Sequence, residues 1–452
     1  MVSLTFYGGA NEIGGSKILL EDKNAKIYLD FGQSFGFGED FFYEYLAPRS
    51  VNGLECYFEF DLIPKIKKLY SKRMLKFTDL EYKKANIDAV FISHCHSDHA
   101  GHLQFLDEQI PIYMGHGAGQ ILQIQKFLYP QFVKLGEHKS FNLFKSGDKI
   151  KVKHLVIEPI HVEHSTPGAY GFIIHTSKGA VVYTGDFRLH GPKEEFTREF
   201  IEKCTKVKPY AMLCEGTRMA YEVEHNFTEK EVEEKASEII KKSKGIVFAN
   251  FAMTNIDRFM SFYRAAVKNK RKMVVDTRFA YILDKMKEKI EGLPDVREDE
   301  NILVYFRVAK SCEFCEKDYK PWEREYMHKM VTYKEIGKMG KKLVMHMRFF
   351  ALMEFVYIQP TNADFIYSMS EHFLEGEENE ETRTILENWL KHFDIKMHKA
   401  HCSGHADKKG IIEVIKKINP KILIPVHTQN AEEFKKFHKN VILPEKNGKI
   451  EI

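Results

Sequence analysis

Six consecutive residues, His94-Cys95-His96-Ser97-Asp98-His99, constrain this chain more than any other stretch of it. They follow the apolar run Ala89-Val90-Phe91-Ile92 directly. A short apolar run of this kind reads as a buried strand, so the polar cluster sits at the strand's carboxyl end. Alternation along an extended chain turns His94 and His96 to one side and Cys95 to the other. Asp98 and His99 then come round the following bend and can face a second point close to the first. Neutral imidazoles and carboxylates are what zinc-like ions take as ligands. The sequence thus specifies a metal site, and its fold must complete one.

Four ligands in one loop cannot fill a two-metal cage, so partners must come from elsewhere. His164-Ser165 follows the alternating run Leu155-Val156-Ile157-Glu158. Asp186 follows Val181-Val182-Tyr183-Thr184, and His427-Thr428 follows Ile422-Leu423-Ile424-Pro425-Val426. Each candidate stands just past an apolar strand, where open sheets commonly place their ligands. His161, three residues before His164, is the rival third ligand; the His-Ser pairing favours His164. His102, His116, His175, His190, His225 and His346 lack such a context and read as surface or hydrogen-bonded histidines.

These motifs resemble those of the metallo-β-lactamase superfamily, and within it the β-CASP nucleases, such as ribonuclease J and the endonuclease of the cleavage and polyadenylation machinery. The family's histidine–aspartate signature matches His94, His96, Asp98 and His99. Its third-motif histidine matches His164, and its bridging aspartate matches Asp186. The first-motif aspartate, which steadies the metal ligands from behind, matches Asp30. Of the motifs particular to the β-CASP branch, the acidic one matches Glu215, and the two histidines match His405 and His427. All occur in family order, so the resemblance covers nearly the whole chain. It implies an α/β fold, a metallo-β-lactamase αββα sandwich with an inserted β-CASP α/β domain.

Resemblance and ligand counting together imply two metals. One takes His94, His96, His164 and Asp186; the other takes Asp98, His99, His427 and the shared Asp186. Zinc is the family's usual metal and suits nitrogen-rich ligation, with manganese as the alternative. The resemblance makes His405 the general acid, Glu215 the carboxylate that charges or orients it, and Asp98 a further catalytic group beside the nucleophilic water. Ser403 and Gly404 would offer a hydroxyl and an unobstructed amide to substrate phosphate oxygens. The implied substrate is single-stranded RNA, and the implied activity a 5′→3′ exoribonuclease of the ribonuclease J type. Internal cleavage, as in the polyadenylation endonuclease, is the alternative within the family. A small-molecule hydrolase on the same fold is the alternative of another class. A homodimer is the candidate assembly.

The composition is compatible with all this and decides little. Hydrophobic residues make up 44% and charged residues 29%, as in an ordinary globular protein. The net charge of +4 over 452 residues does not by itself announce a nucleic-acid binder. Basic clusters at Lys65–Lys68 and Lys268–Lys272 read as solvated helix faces. Seven cysteines are too few for a disulfide framework, and Cys312 with Cys315 forms a lone C-x-x-C pair read as ordinary thiols. No apolar run reaches membrane-spanning length and no signal peptide opens the chain, so a cytoplasmic location is expected.

Residues 1–207 read as a strand-rich first part of the metal-binding domain. Gly8-Gly9-Ala10-Asn11-Glu12-Ile13-Gly14-Gly15 leads into a strand and reads as a turn between strands, not a phosphate loop. An aromatic, basic insertion spans 36–86, with a helical stretch expected near Leu62–Leu69. From 208 to 398 strands and helices alternate, which argues a parallel α/β domain. About 240 positions separate Asp186 from His427, far more than a loop holds, so this segment is an inserted domain. Residues 399–452 complete the first domain and carry His405 and His427.

Overall fold

The computed structural model describes residues 1–43, 45–138, 140–220, 226–370, 374 and 379–452. They form two compact units: Met1–Leu189 with Lys193–Glu224 and Gly404–Ile452, and His190–Pro192 with His225–Ser403.

Two sheets face each other in the first unit. One runs in the order Lys449–Glu451, Val2–Gly8, Lys17–Asp22, Ala25–Leu29, Ala89–Ile92, Ile112–Gly115 and Asn142–Phe144. The other runs Ile422–Val426, Ala211–Glu215, Gly179–Tyr183, Ala169–Thr176, Leu155–Val162 and Ile150–Val152. Ala89–Ile92 pairs in parallel on both sides and is buried throughout, which is why it carries no polar residue. Phe6, Leu29 and Phe91 from one sheet meet Phe172, Leu213 and Ile424 from the other in a common core. The second sheet's outer face is covered by Phe200 and Ile201 of the helix Glu194–Val207 and by Ile411 and Val414 of the helix Lys408–Ile418. The helix His116–Leu128 packs on the outer side of the first sheet, burying Ile121 and Leu122. Each such side chain contributes about 1.5–3 kcal/mol by leaving water. The result is an αββα sandwich.

The second unit has one seven-stranded, wholly parallel sheet in the order Met330–Val331, Ile302–Tyr305, Lys272–Asp276, Leu343–His346, Val247–Asn250, Asp364–Tyr367 and Lys396–Lys399. Its helices start where the sequence provides caps. Thr228 and Glu231 form a capping box at Glu229–Lys242, and Asn255 caps Ile256–Lys268.

Three expectations need correction. The boundary at 207/208 falls too early, because Ala211–Glu215 pairs with Gly179–Tyr183 and Ile422–Val426 and belongs to the first unit. The return at 399 is also early, since Lys396–Lys399 is an edge strand of the second sheet and the first unit resumes at Gly404. No helix forms at Leu62–Leu69: Pro64 interrupts the run, and Asp61 and Lys68 take left-handed backbone angles of 52° and 63°. The glycine-rich loop joins the antiparallel strands Val2–Gly8 and Lys17–Asp22, as a turn should. No helix among the described residues is long and apolar enough to cross a membrane.

Candidate metal centre

Strand ends of both sheets deliver the ligand candidates to one buried place in the first unit. Nε2 of His94 and Nδ1 of His96 lie 3.0 Å apart, and Nε2 of His164 is 3.2 Å from the same Nδ1. Beside this trio, Asp98, His99, Asp186 and His427 bring one donor atom each within 4.8 Å of one another. Asp186 stands between the two sets: its Oδ2 is 3.7 Å from Nε2 of His94 and 3.2 Å from Nε2 of His99. His161 is elsewhere, stacked between Tyr170 and Phe196.

A second layer of side chains, mostly invisible to sequence reasoning, holds these groups. Asp30 accepts hydrogen bonds from the Ser93 amide at 2.6 Å, the Ser93 hydroxyl at 2.8 Å and the Tyr183 hydroxyl at 2.7 Å. Its Oδ2 also meets Nδ1 of His99 at 2.7 Å. Thr217 Oγ1 lies 2.8 Å from Nδ1 of His427, and the Gly404 carbonyl accepts from Nδ1 of His164 at 2.7 Å. Partners of this kind fix a ligand's tautomer and ring angle. Gly404 must be glycine, because a Cβ there would stand 2.7 Å from Ser165 Oγ. Gly14 at φ 81° lets the glycine loop lie against Asp98.

Protonation states suit a cation. Burial, reinforced by the neighbouring imidazoles, keeps His94 and His164 well below the usual histidine range and therefore neutral. Burial alone would raise Asp98 and Asp186, but the surrounding histidines outweigh it and hold both ionised. His99 is driven the other way; burial opposes charge, yet Asp186, Asp98 and Asp30 together raise it well above its ordinary value. Among the described residues Oδ1 of Asp186 is buried without a hydrogen-bond partner, and Nε2 of His99 meets only the Oδ2 atoms of Asp186 and Asp98, at 3.2 and 3.4 Å. Buried polar atoms are rarely left so, and these sit among converging ligands. The donor set therefore fits divalent ions, whose binding would displace the proton from His99.

At the edge of this cluster, Nδ1 of His405 lies 3.2 Å from Oε1 of Glu215. Glu215 is locked by backbone donors, the Thr217 amide at 3.0 Å and the Phe187 amide at 3.3 Å. Burial would lower His405, but Glu215 and then Asp186 prevail and raise it to about 9. Ser403 falls in the second unit, where its carbonyl accepts from Nε2 of His190 at 2.9 Å. Among the remaining histidines, Nε2 of His346 meets the Phe251 carbonyl at 2.8 Å, while His116 and His175 are exposed. His225 lies outside the described residues. His102 departs from expectation: it is buried against Phe37 and Phe105 with neither ring nitrogen bonded among the described residues, and burial keeps it neutral.

Residues 65–205 match the β-lactamase superfamily domain, and residues 394–444 match the Zn-dependent metallo-hydrolase RNA specificity domain. With the αββα sandwich, these matches show in this chain a metallo-β-lactamase fold with a C-terminal segment similar to RNA specificity domains. The particular proteins it resembles over most of its length are ribonucleases J, consistent with a β-CASP architecture. It is 24% identical to ribonuclease J of Mycoplasma pneumoniae over 437 residues, 93% of this chain and 67% of that protein. It is 22% identical to ribonuclease J of Helicobacter pylori, over 99% of this chain and 59% of the relative. The chain thus spans 67% and 59% of the length of these two relatives. A crystal structure of a protein of unknown function from Enterococcus faecalis superposes with a TM-score of 0.78 at 23% identity, over 99% of both chains, and shares the fold.

Proposed function

We propose that the chain is a two-zinc ribonuclease that degrades single-stranded RNA from its 5′ end, acting in the cytoplasm. The observation that carries this reading is the contact between His405 and Glu215 beside the histidine–aspartate cluster. A small-molecule hydrolase of this fold needs no such pair, whereas phosphodiester hydrolysis needs an acid for its leaving oxygen. The match to an RNA specificity domain and the ribonuclease J relatives support RNA as the substrate.

His94, His96, His164 and Asp186 would hold one ion, and Asp98, His99, His427 and Asp186 the other. Ions bound there would supply water activation and charge neutralisation at a phosphoryl group. The chain's own residues do the rest. Glu215 engages Nδ1 of His405 and keeps the ring protonated, so His405 can give its Nε2 proton to the departing oxygen. Thr217 Oγ1, 2.8 Å from Nδ1 of His427, keeps that ring in place with Nε2 facing Asp98, which the surrounding histidines hold ionised. Asp30 does the same for His99.

The 5′→3′ polarity follows from the resemblance of the Ser403-Gly404-His405 run to the ribonuclease J pattern. A pocket shaped for a terminal monophosphate should reject a triphosphate, which adds charge without matching donors. RNA labelled at a monophosphorylated 5′ end should release labelled mononucleotide at once, while the triphosphorylated and circular forms persist. Efficient cutting of the circle would make the enzyme an endonuclease. No hydrolysis of any RNA by the zinc-loaded chain would end the ribonuclease reading.

A further inference from the structure

Lys270 and Arg271, from the basic cluster Lys268–Lys272, belong to a larger basic surface on the second unit. In a parallel sheet each connecting helix runs back to the edge where the next strand begins. The helices Glu229–Lys242, Ile256–Lys268 and Tyr333–Met339 therefore end beside the starts of Val247–Asn250, Lys272–Asp276 and Leu343–His346. A groove of about 440 Å³ lies among these ends, lined by Lys241, Lys270, Arg271, Lys338, Lys341 and Lys342. Its remaining lining is Ile240, Asn269 and Met339, with no carboxylate.

The groove is built on a fixed floor. Arg271 is buried and donates to the Ser243 and Gly245 carbonyls, each at 2.8 Å. The five lysines are exposed, and none makes an ion pair among the described residues. Of the nearby carboxylates, Glu238 pairs with Lys242, while Glu335 caps its own helix through Thr332 and offsets part of the charge of Lys338 alone. Helix dipoles attract cations to a last turn, which accounts for Lys241 and Lys338. That attraction fades beyond the last turn and does not account for Lys270, and the single 3-10 turn Gly340–Lys342 that carries Lys341 and Lys342 is too short to build a comparable dipole. Five like charges gathered in and around a lining that holds no carboxylate raise the local potential and invite a polyanion.

We propose that this groove binds the phosphate backbone of the RNA strand, as a second contact on the inserted unit outside the metal centre. The proposal rests on the ribonuclease reading above. Lysine ammoniums meet phosphates as point charges and without regard to sequence. No aromatic ring lines the groove to stack a base, so recognition there is of backbone alone.

The test compares the whole chain with its Lys241→Ala/Lys338→Ala/Lys341→Ala/Lys342→Ala variant. Binding of labelled oligouridine is followed across a salt series with chelator present, so that no hydrolysis intervenes. Affinity at low salt should fall at least about tenfold. The slope of log K against log salt should shrink by about 3, because four phosphates of a single strand are no longer neutralised. The matching Lys→Arg variant should bind as the parent does, and hydrolysis of bis(p-nitrophenyl) phosphate by the zinc-loaded alanine variant should be unchanged. Unaltered affinity and slope in the alanine variant would overturn the proposal, as would binding to phosphatidylserine vesicles in place of RNA. RNA hydrolysis by the parent together with unaltered binding by the variant removes the groove and leaves the ribonuclease reading. Groove-dependent binding without hydrolysis does the reverse.

Discussion

Oδ2 of Asp30 lies 2.7 Å from Nδ1 of His99, and both side chains are closed to solvent. Asp30 reaches this position with a left-handed backbone, φ 60°, at the end of its strand. A carboxylate behind a ligand histidine makes the ring more basic and holds it in one orientation. Asp30→Asn should therefore leave the fold intact and weaken metal binding about 10- to 100-fold, the usual range for such partners. Zinc competition against a chromogenic chelator measures it. Unchanged affinity would make Asp30 a packing residue only.

Asp186 stands between the two ligand sets, within 3.7 Å of His94 and 3.2 Å of His99. Asp186→Ala should remove most bound metal from both positions. His164→Ala should empty mainly one and His427→Ala mainly the other. Elemental analysis of the purified variants decides between them. Two tightly held zinc ions in Asp186→Ala would refute the bridging assignment.

His405→Ala tests the proton donor. With its ligands untouched the variant should keep its metals and its RNA affinity, and lose about 10²–10⁴-fold in rate, the scale of general acid catalysis. Glu215→Gln should lower the rate in the same direction by a smaller factor. Near-normal turnover by folded His405→Ala would take that residue out of the mechanism.

The metal centre was legible because its candidates end apolar strands, and a strand's direction fixes where its last residue points. Thr217, Ser93 and Tyr183 were not legible, since a hydroxyl acquires its partner only when distant strands pair. Nothing near Thr217 in sequence announces His427. The domain boundary shows the same limit. Residues 211–215 resemble any buried strand, and only their ladder with Ile422–Val426 assigns them to the first unit. His102 shows it for burial: a polar residue one turn beyond the metal motif ends up among aromatic rings.

Arg258 is the ionic centre of the second unit. Fully buried, it contacts Glu229 at 2.6 and 3.1 Å and donates to the Ser368 carbonyl at 2.8 Å and the Cys402 carbonyl at 3.1 Å. Burial would strip its proton, but Glu229 outweighs burial and raises it. Arg258→Met removes the guanidinium from a buried carboxylate and should cost about 3–5 kcal/mol. Adding Glu229→Gln should restore part of that loss. Simply additive losses in urea denaturation would show that the two charges are not coupled.

Lys17 offers a prediction in pH. Its ammonium nitrogen is buried 3.2 Å from the Gly15 carbonyl, and burial pulls it from 10.5 down to about 7, against the opposing pull of Glu12. The unfolded chain keeps this proton up to about 10.5, whereas the folded chain releases it near 7. Between those values the unfolded state binds more protons, so stability should rise with pH, by up to about 1.4 kcal/mol per pH unit. Below 7 both states are protonated and the cost of the buried charge is fully present. Lys17→Met removes that cost, so the variant should be more stable at neutral pH and should lack this part of the rise. Chemical denaturation of both proteins at several pH values between 7 and 10 isolates the effect, because every other titrating group is common to the two. Parallel curves would show that Lys17 keeps its proton in the fold.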